Sequence, residues 1–238
     1  MRIRLAPSLL VLSLLAGGAW GTAKAKNDLL PKEAVAACLE AQPAPPEPGS
    51  LAARADLEAV LQAQAWRTQA QEDFARKMDA EDLFDASAVL GPWFAPARLP
   101  QCAQLFERVE AASGAASSKA KHQFTRLRPP YLDPRVAPCV KVPPRSSSSY
   151  PSGHATFFTL GSLVLAEIFP ERREDLLAWG RKAAWSRIIA GVHFPTDVAG
   201  GRLLAESVFE KLKRNPEFLA ALARCREEAA SCRLEKAG

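Results

Sequence analysis

His154 and His193 stand in the two stretches of this chain best suited to chemistry. His154 follows Pro151-Ser152-Gly153, behind a run of serines at 146–149, and opens an apolar run. Such a loop bares backbone N–H groups, and a helix start adds the positive end of a dipole, so the natural guest is an anion. His193 lies in SRIIAGVHFPTD, between a helix that ends at Gly191 and one that begins at Pro195. Asp197 follows in the first turn of that next helix, within reach of one imidazole nitrogen. That contact would fix the tautomer and leave the other nitrogen unprotonated and nucleophilic. Arg187, near the end of the preceding helix, offers a bidentate grip on a tetrahedral oxyanion. The competing reading pairs Arg187 with Asp197 as an ion pair that joins two helices. The remaining histidine, His122, reads as structural.

A second cationic element precedes the serine loop, in KHQFTRLRPP. Lys121 and Arg128 are spaced as two helical turns on one face, with Pro129 ending the helix. A solvated basic face is the plainer account of that pair alone. A cysteine phosphatase would need C-x5-R, which occurs at Cys102…Arg108 and Cys139…Arg145. The first has helical periodicity and no glycine; in the second, Pro143 and Pro144 delete two amides, so neither forms a phosphate-cradling loop.

Taken in order, the segments read K-x6-R-P, P-S-G-H and S-R-x5-H-x3-D. The set resembles the phosphatidic acid phosphatase type 2 (PAP2) superfamily, which also holds bacterial class A acid phosphatases and vanadium haloperoxidases. The resemblance covers residues 121 to 197, and the flanks SYPSGH and GVHFPTDVAGGRLL share it; DLEAVLQAQAWRT is similar to the soluble exported phosphatases, though less specifically. It implies a phosphomonoesterase in which His193 attacks phosphorus to form a phosphohistidine, with Asp197 orienting it. His154 would protonate the leaving alcohol and then activate water. Lys121, Arg128 and Arg187 would neutralise the phosphoryl oxygens, and Ser152 and the Gly153 amide would complete the cradle. It implies no metal and no cofactor, and a small-molecule phosphomonoester as the partner. Two alternatives are a lipid-phosphate phosphatase and a vanadate-dependent haloperoxidase. A third is an anion-binding protein without turnover, which would have lost one of the two histidines.

These residues need elements to hold them. The chain has 238 residues, 48% hydrophobic and 24% charged, enough for one large domain or two small ones. Arg2 and Arg4, a short apolar stretch from Leu5 to Ala16, and the small-residue sites Ala19-Trp20-Gly21 and Ala23-Lys24-Ala25 read as an export signal over residues 1–25. Its removal takes Arg2, Arg4 and Lys24 and no acid, so the formal charge drops from +5 to +2. That weak balance argues against a nucleic-acid partner. A periplasmic or secreted location follows. Residues 26–49 form an N-terminal segment with a Pro-rich linker, and 50–238 the main domain, with a homodimer left open.

Ser50 caps a helical stretch from Leu51 to Ala80; 101–113 and a stretch around 119–125 also read as helical. Residues 128–153 are too rich in proline for regular structure over most of their length. Helices follow at 152–168, roughly 171–190 and 195–213, with a last one after Asn215-Pro216. No strand pattern stands out, so the expected class is all-α in a single domain, and the resemblance implies a helical bundle of the PAP2/vanadium haloperoxidase type. The apolar run 155–169 is too short to span a bilayer and reads as a core helix, which predicts no membrane insertion of the mature chain. Cys38, Cys102, Cys139, Cys225 and Cys232 leave at least one thiol unpaired, and Cys225 can meet Cys232 only if their helix breaks.

Overall fold

The computed structural model describes residues 27–234, so the export signal expected over 1–25 lies outside the described residues. The helices are α1 (Lys32–Leu39), α2 (Leu51–Trp66), α3 (Gln69–Lys77), α4 (Ser87–Leu90), α5 (Pro100–Gln123), α6 (Pro129–Leu132), α7 (Gly153–Ile168), α8 (Arg173–Ile189), α9 (Pro195–Leu212) and α10 (Pro216–Leu234). No strand occurs among the described residues. The class is all-α, as the sequence predicts.

The apolar run becomes α7, the central helix, packed by α8, α9, α5 and α10. It is apolar nearly all round because it is covered nearly all round: Phe157, Phe158, Leu160, Val164 and Leu165 are all buried. No helix among the described residues is long and apolar enough to cross a membrane. Pro170, Gly191 at φ 75° and Pro195 punctuate α7, α8 and α9 as expected. The segment before the Pro-rich run shares the same core. Leu29, Leu30, Val35, Cys38 and Leu39 are buried there, and Gln42 donates to Tyr150 Oη at 2.8 Å and to the Gly200 carbonyl at 3.1 Å.

Helix limits differ from expectation in two places. The stretch 51–80 is not one helix. It stops at Trp66 and restarts at Gln69, where Thr68 and Gln71 form a reciprocal capping box. Conversely α5 runs unbroken through Gly114, in a stretch rich in alanine, the best helix former, with Ala112, Ala116 and Ala120 buried. It ends at Gln123, so Lys121 and Arg128 do not share a helical face; Arg128 sits in extended backbone before α6.

Cys102 and Cys225 form a disulfide that ties α5 to α10. Cys38, Cys139 and Cys232 are free and buried, and α10 is unbroken between Cys225 and Cys232. The long loop 128–153 is stitched down rather than loose. Cys139 N donates to the Ala190 carbonyl at 3.1 Å, Arg67 to the Ala137 carbonyl at 2.9 Å, and Ser149 N to the Arg126 carbonyl at 2.9 Å.

Candidate active site

The site lies where α7, α8 and α9 begin or end, beneath the segment that follows α5. Gly200 and Gly201 allow this convergence. A Cβ on Gly201 would meet the Ser152 carbonyl at 2.6 Å, and one on Gly200 the Tyr150 ring at 2.5 Å. The loop before α7 thus lies directly on α9, and Ser152 N donates to the Asp197 carbonyl at 3.0 Å.

His193 is 2% exposed and Asp197 0%. Asp197 Oδ2 lies 3.3 Å from His193 Nδ1 and accepts from the Phe194 amide at 2.9 Å, which places the ring proton on Nδ1. The other ring nitrogen, Nε2, is then an acceptor, and Arg128 Nη1 lies 2.9 Å from it. Arg128 also donates to the Val192 carbonyl at 3.1 Å. Lys121 Nζ is anchored on the Ser148 carbonyl at 2.7 Å. Ser152 caps α7, its Oγ accepting from Ala155 N at 3.3 Å, and Gly153 is the first residue of that helix. The serines at 148 and 149 are structural: Ser148 Oγ accepts from Arg126 N, and Ser149 Oγ donates to the Leu127 carbonyl.

The anticipated ion pair between Arg187 and Asp197 does not form. Arg187 Nη2 donates to Asp79 Oδ1 at 2.7 Å, while Asp197 Oδ1 accepts from Arg126 Nη1 at 2.6 Å. Arg126 spans further, to Asp56 Oδ2 at 2.7 Å and Thr196 Oγ1 at 2.7 Å. Asp56 in turn accepts from the Thr196 amide at 3.1 Å and pairs with the Thr196 hydroxyl. His154 meets a second carboxylate: its Nδ1 lies 3.3 Å from Glu81 Oε1, and its Nε2 3.4 Å from the Asp79 carbonyl. His122 Nδ1 lies 2.7 Å from the Ser118 carbonyl of its own helix.

Sequence reasoning thus missed Arg126, Asp56, Thr196, Asp79 and Glu81. Arg126 falls at an unspecified position of K-x6-R-P, and Asp56 and Asp79 come from helices far away in the chain. One signal existed for Asp79: a helix continued through Ala80 would have carried it along the same axis, and the Thr68–Gln71 capping box in RTQAQ marks the break that redirects it.

The electrostatics are those of a buried cationic cup. Desolvation first, then Arg128, Lys121 and Arg187, hold the His193 pKa well below its ordinary 6.5. Burial, with Arg187 next, pushes His154 down to about 3, against Asp79. Burial and the Arg128 charge bring Lys121 down to about 7. Burial lowers Arg128 to about 10 and raises Asp197, which Arg126 opposes. Two donors in this cup are unspent: Arg128 Nε and Arg187 Nε are buried with no hydrogen-bond partner. No group of three His, Cys, Asp or Glu able to hold a metal ion occurs among the described residues.

The PAP2 superfamily model matches residues 109–210. A non-specific acid phosphatase of Salmonella typhimurium is 32% identical over 195 residues, 77% of this chain and 77% of that one. The chain belongs to the PAP2 superfamily. Another of these PAP2 relatives, a non-specific acid phosphatase of Providencia stuartii, is 36% identical over 129 residues, 53% of this chain and 52% of its own. A bacterial vanadium-dependent iodoperoxidase shares the PAP2-type fold with a TM-score of 0.55 at 16% identity, over 75% of this chain and 53% of that chain.

Proposed function

We propose that this protein is an acid phosphatase that hydrolyses phosphate monoesters through a phosphohistidine at His193, without a metal. One observation carries the reading. Two guanidinium Nε–H groups, on Arg128 and Arg187, are buried beside a neutral imidazole and have no partner. Leaving a buried donor on a charged group unmet costs a few kcal/mol, and a bound anion removes that cost. A phosphoryl group supplies oxygens for both, and for Lys121 and the Gly153 amide at the α7 N-terminus.

His193 Nε2 attacks phosphorus once phosphate oxygens draw Arg128 away from it. The Nδ1 proton stays on the ring, held by Asp197, and the developing imidazolium is stabilised by that carboxylate. His154 gives a proton to the departing alkoxide. Free, it is held neutral; a bound dianion favours its charged form, and a substrate monoanion brings the same proton with it. In the second step His154 takes a proton from water, which attacks the phosphohistidine and releases phosphate. The cations do the charge neutralisation that a metal does elsewhere.

Rapid quench with a 32P-labelled monoester tests this. An acid-labile, base-stable phosphoenzyme is expected, absent in His193→Ala, with turnover down at least about 10⁴-fold. Activity should survive EDTA. A phosphoenzyme that persists in His193→Ala, or activity lost to EDTA and restored by Zn²⁺ or Mg²⁺, overturns the mechanism.

Export belongs to the same proposal. The basic, apolar, small-residue start supports it, and the Cys102–Cys225 disulfide suits an oxidising compartment. Mass spectrometry of the exported fraction should find a mature N-terminus near Thr22 or Lys26; full-length chain in the membrane pellet alone refutes it.

A further inference from the structure

A cavity of about 590 Å³ begins at Glu81, the carboxylate that faces His154 Nδ1. It runs along the face of α7 that carries His154, since Phe157, one turn further on, also lines it. Its walls are apolar and aromatic, with Leu83, Phe84 and Phe106 opposite, the two rings edge-on at 5.2 Å. Every ionisable residue lining it is a carboxylate: Glu81, Asp82, Glu107 and Glu110. Asp82 is partly spent on the Phe84 amide. Glu107 and Glu110, one turn apart on α5, have neither a hydrogen bond nor an ion pair among the described residues.

We propose, resting on the phosphatase reading above, that this cavity receives the leaving alcohol, and that the preferred substrate is the monoester of an extended alcohol ending in an alkylated ammonium. His154 must stand beside the bridging oxygen, so the alcohol continues from His154 into the space beyond it. Aromatic faces and carboxylates together are the chemistry that recognises an alkylated ammonium. The same carboxylates repel an alcohol that carries further phosphates. The geometry also fixes the reach. Glu110 and Glu107 precede Lys121 by about 16 Å and about 21 Å of helix rise, so a cation close to the phosphate lies nearest Glu81, and only one on a long rigid arm comes near Glu110 and Glu107.

The test uses phosphate monoesters of biphenyl-4-methanol with a trimethylammoniomethyl, a neutral neopentyl or a carboxymethyl group at the 4′ position, long enough to carry the charge towards Glu110 and Glu107. The methylene insulates the reacting oxygen, so leaving-group chemistry is nearly constant. Wild-type kcat/KM should favour the cationic ester over its neutral isostere by up to about fivefold, the worth of a charge pair at exposed and half-exposed carboxylates, and the anionic ester should be poorest. In Glu107→Gln/Glu110→Gln the preference, read as the ratio of the cationic to the neutral ester within one enzyme, should collapse towards one. A neutral ester that equals the cationic one, or a preference that survives the double substitution, overturns the proposal. Calorimetric titration with the free ammonium alcohol reads the subsite without turnover: binding lost in the double variant supports it, and no binding to wild type sinks it. Failure of every ester, p-nitrophenyl phosphate included, sinks the phosphatase reading instead.

Discussion

The two halves of the site are built differently. Around His193 everything is sealed. The side chains of His193, Asp197, Arg126 and Asp56 are 3%, 0%, 9% and 4% exposed, and α2, α9 and the α5–α6 connection all contribute to one closed hydrogen-bond network. Around His154 the partners are provisional. Asp79 and Glu81 are 39% and 30% exposed, and both come from the short turn after α3. Glu81 there takes a left-handed φ of 54° without being glycine, a conformation that costs about 1–3 kcal/mol. In the proposed mechanism His193 must be aimed before substrate arrives, and its network leaves it one geometry. A proton donor must change charge during each turnover, and its neighbours are carboxylates that an incoming phosphate can displace. Asp79 on Arg187 stands where a phosphate oxygen is expected to stand.

The sharpest way to separate the halves is to remove the proposed donor, His154. His154→Ala should lower kcat/KM on an alkyl phosphate by about 10²–10⁴-fold, the usual worth of general acid catalysis, and p-nitrophenyl phosphate by far less, because nitrophenolate departs without a proton. Steady-state rates on the two esters measure it. Equal losses would place His154 outside the acid role and make the contrast between the halves one of packing alone.

Breaking the sealed half should cost both activity and stability. Arg126→Met leaves the carboxylates of Asp56 and Asp197 buried with one cation fewer, and removal of one partner from such a cluster costs about 3–5 kcal/mol. The rate should fall about 10–100-fold, as for loss of an orienting partner, with a lower melting temperature. The matching change on the open side, Asp79→Asn, keeps an acceptor for the buried Arg187 and removes a charge that is 39% exposed, so it should lower the melting temperature less than Arg126→Met does. A comparable thermal loss in both variants would erase the distinction.

How much of this was written in the sequence follows the same division. The core helices were legible, because α7, α8 and α9 are bounded by Pro170, Gly191 and Pro195, whose effect on backbone is local. The proximity of His193 and Asp197 was legible for the same reason, since both sit on one helix entrance. The partners of Arg187 and Asp197 were not. Asp79 lies 108 residues from Arg187 and Asp56 lies 70 from Arg126, and periodicity carries no information across such separations. The run from 51 to 80 misled because alanine and glutamine favour helix on both sides of Thr68, while a single capping box decides where the axis turns. The pairing of Cys102 with Cys225 was one of many arrangements, chosen by how α10 lies against α5.

The smallest effect concerns Lys121, which borders both halves. Burial and Arg128 bring its pKa to about 7, so it is charged below neutrality and loses its charge as pH rises through that value. His193 must be neutral to attack, and since its pKa lies well below 6.5 it stays neutral far into the acid range. In the proposed mechanism the activity window is therefore expected on the acid side of neutrality. Its acidic limb is set by His193 and its basic limb by Lys121, together with the second ionisation of the substrate phosphate near pH 6. The two contributions to the basic limb are separable. Lys121→Arg keeps a cation at every working pH, whereas the ester's ionisation is the same for both enzymes and cancels in their ratio. From pH 6 to pH 8 a group of pKa about 7 falls from about 90% to about 10% charged, so the variant-to-wild-type ratio of kcat/KM should rise about tenfold over that interval. The bulk of the guanidinium will lower the absolute rate but not tilt the ratio. A ratio that stays flat means Lys121 remains charged in the free enzyme, in which case the cup holds its lysine more like the open half, hydrated, than like the sealed half around His193.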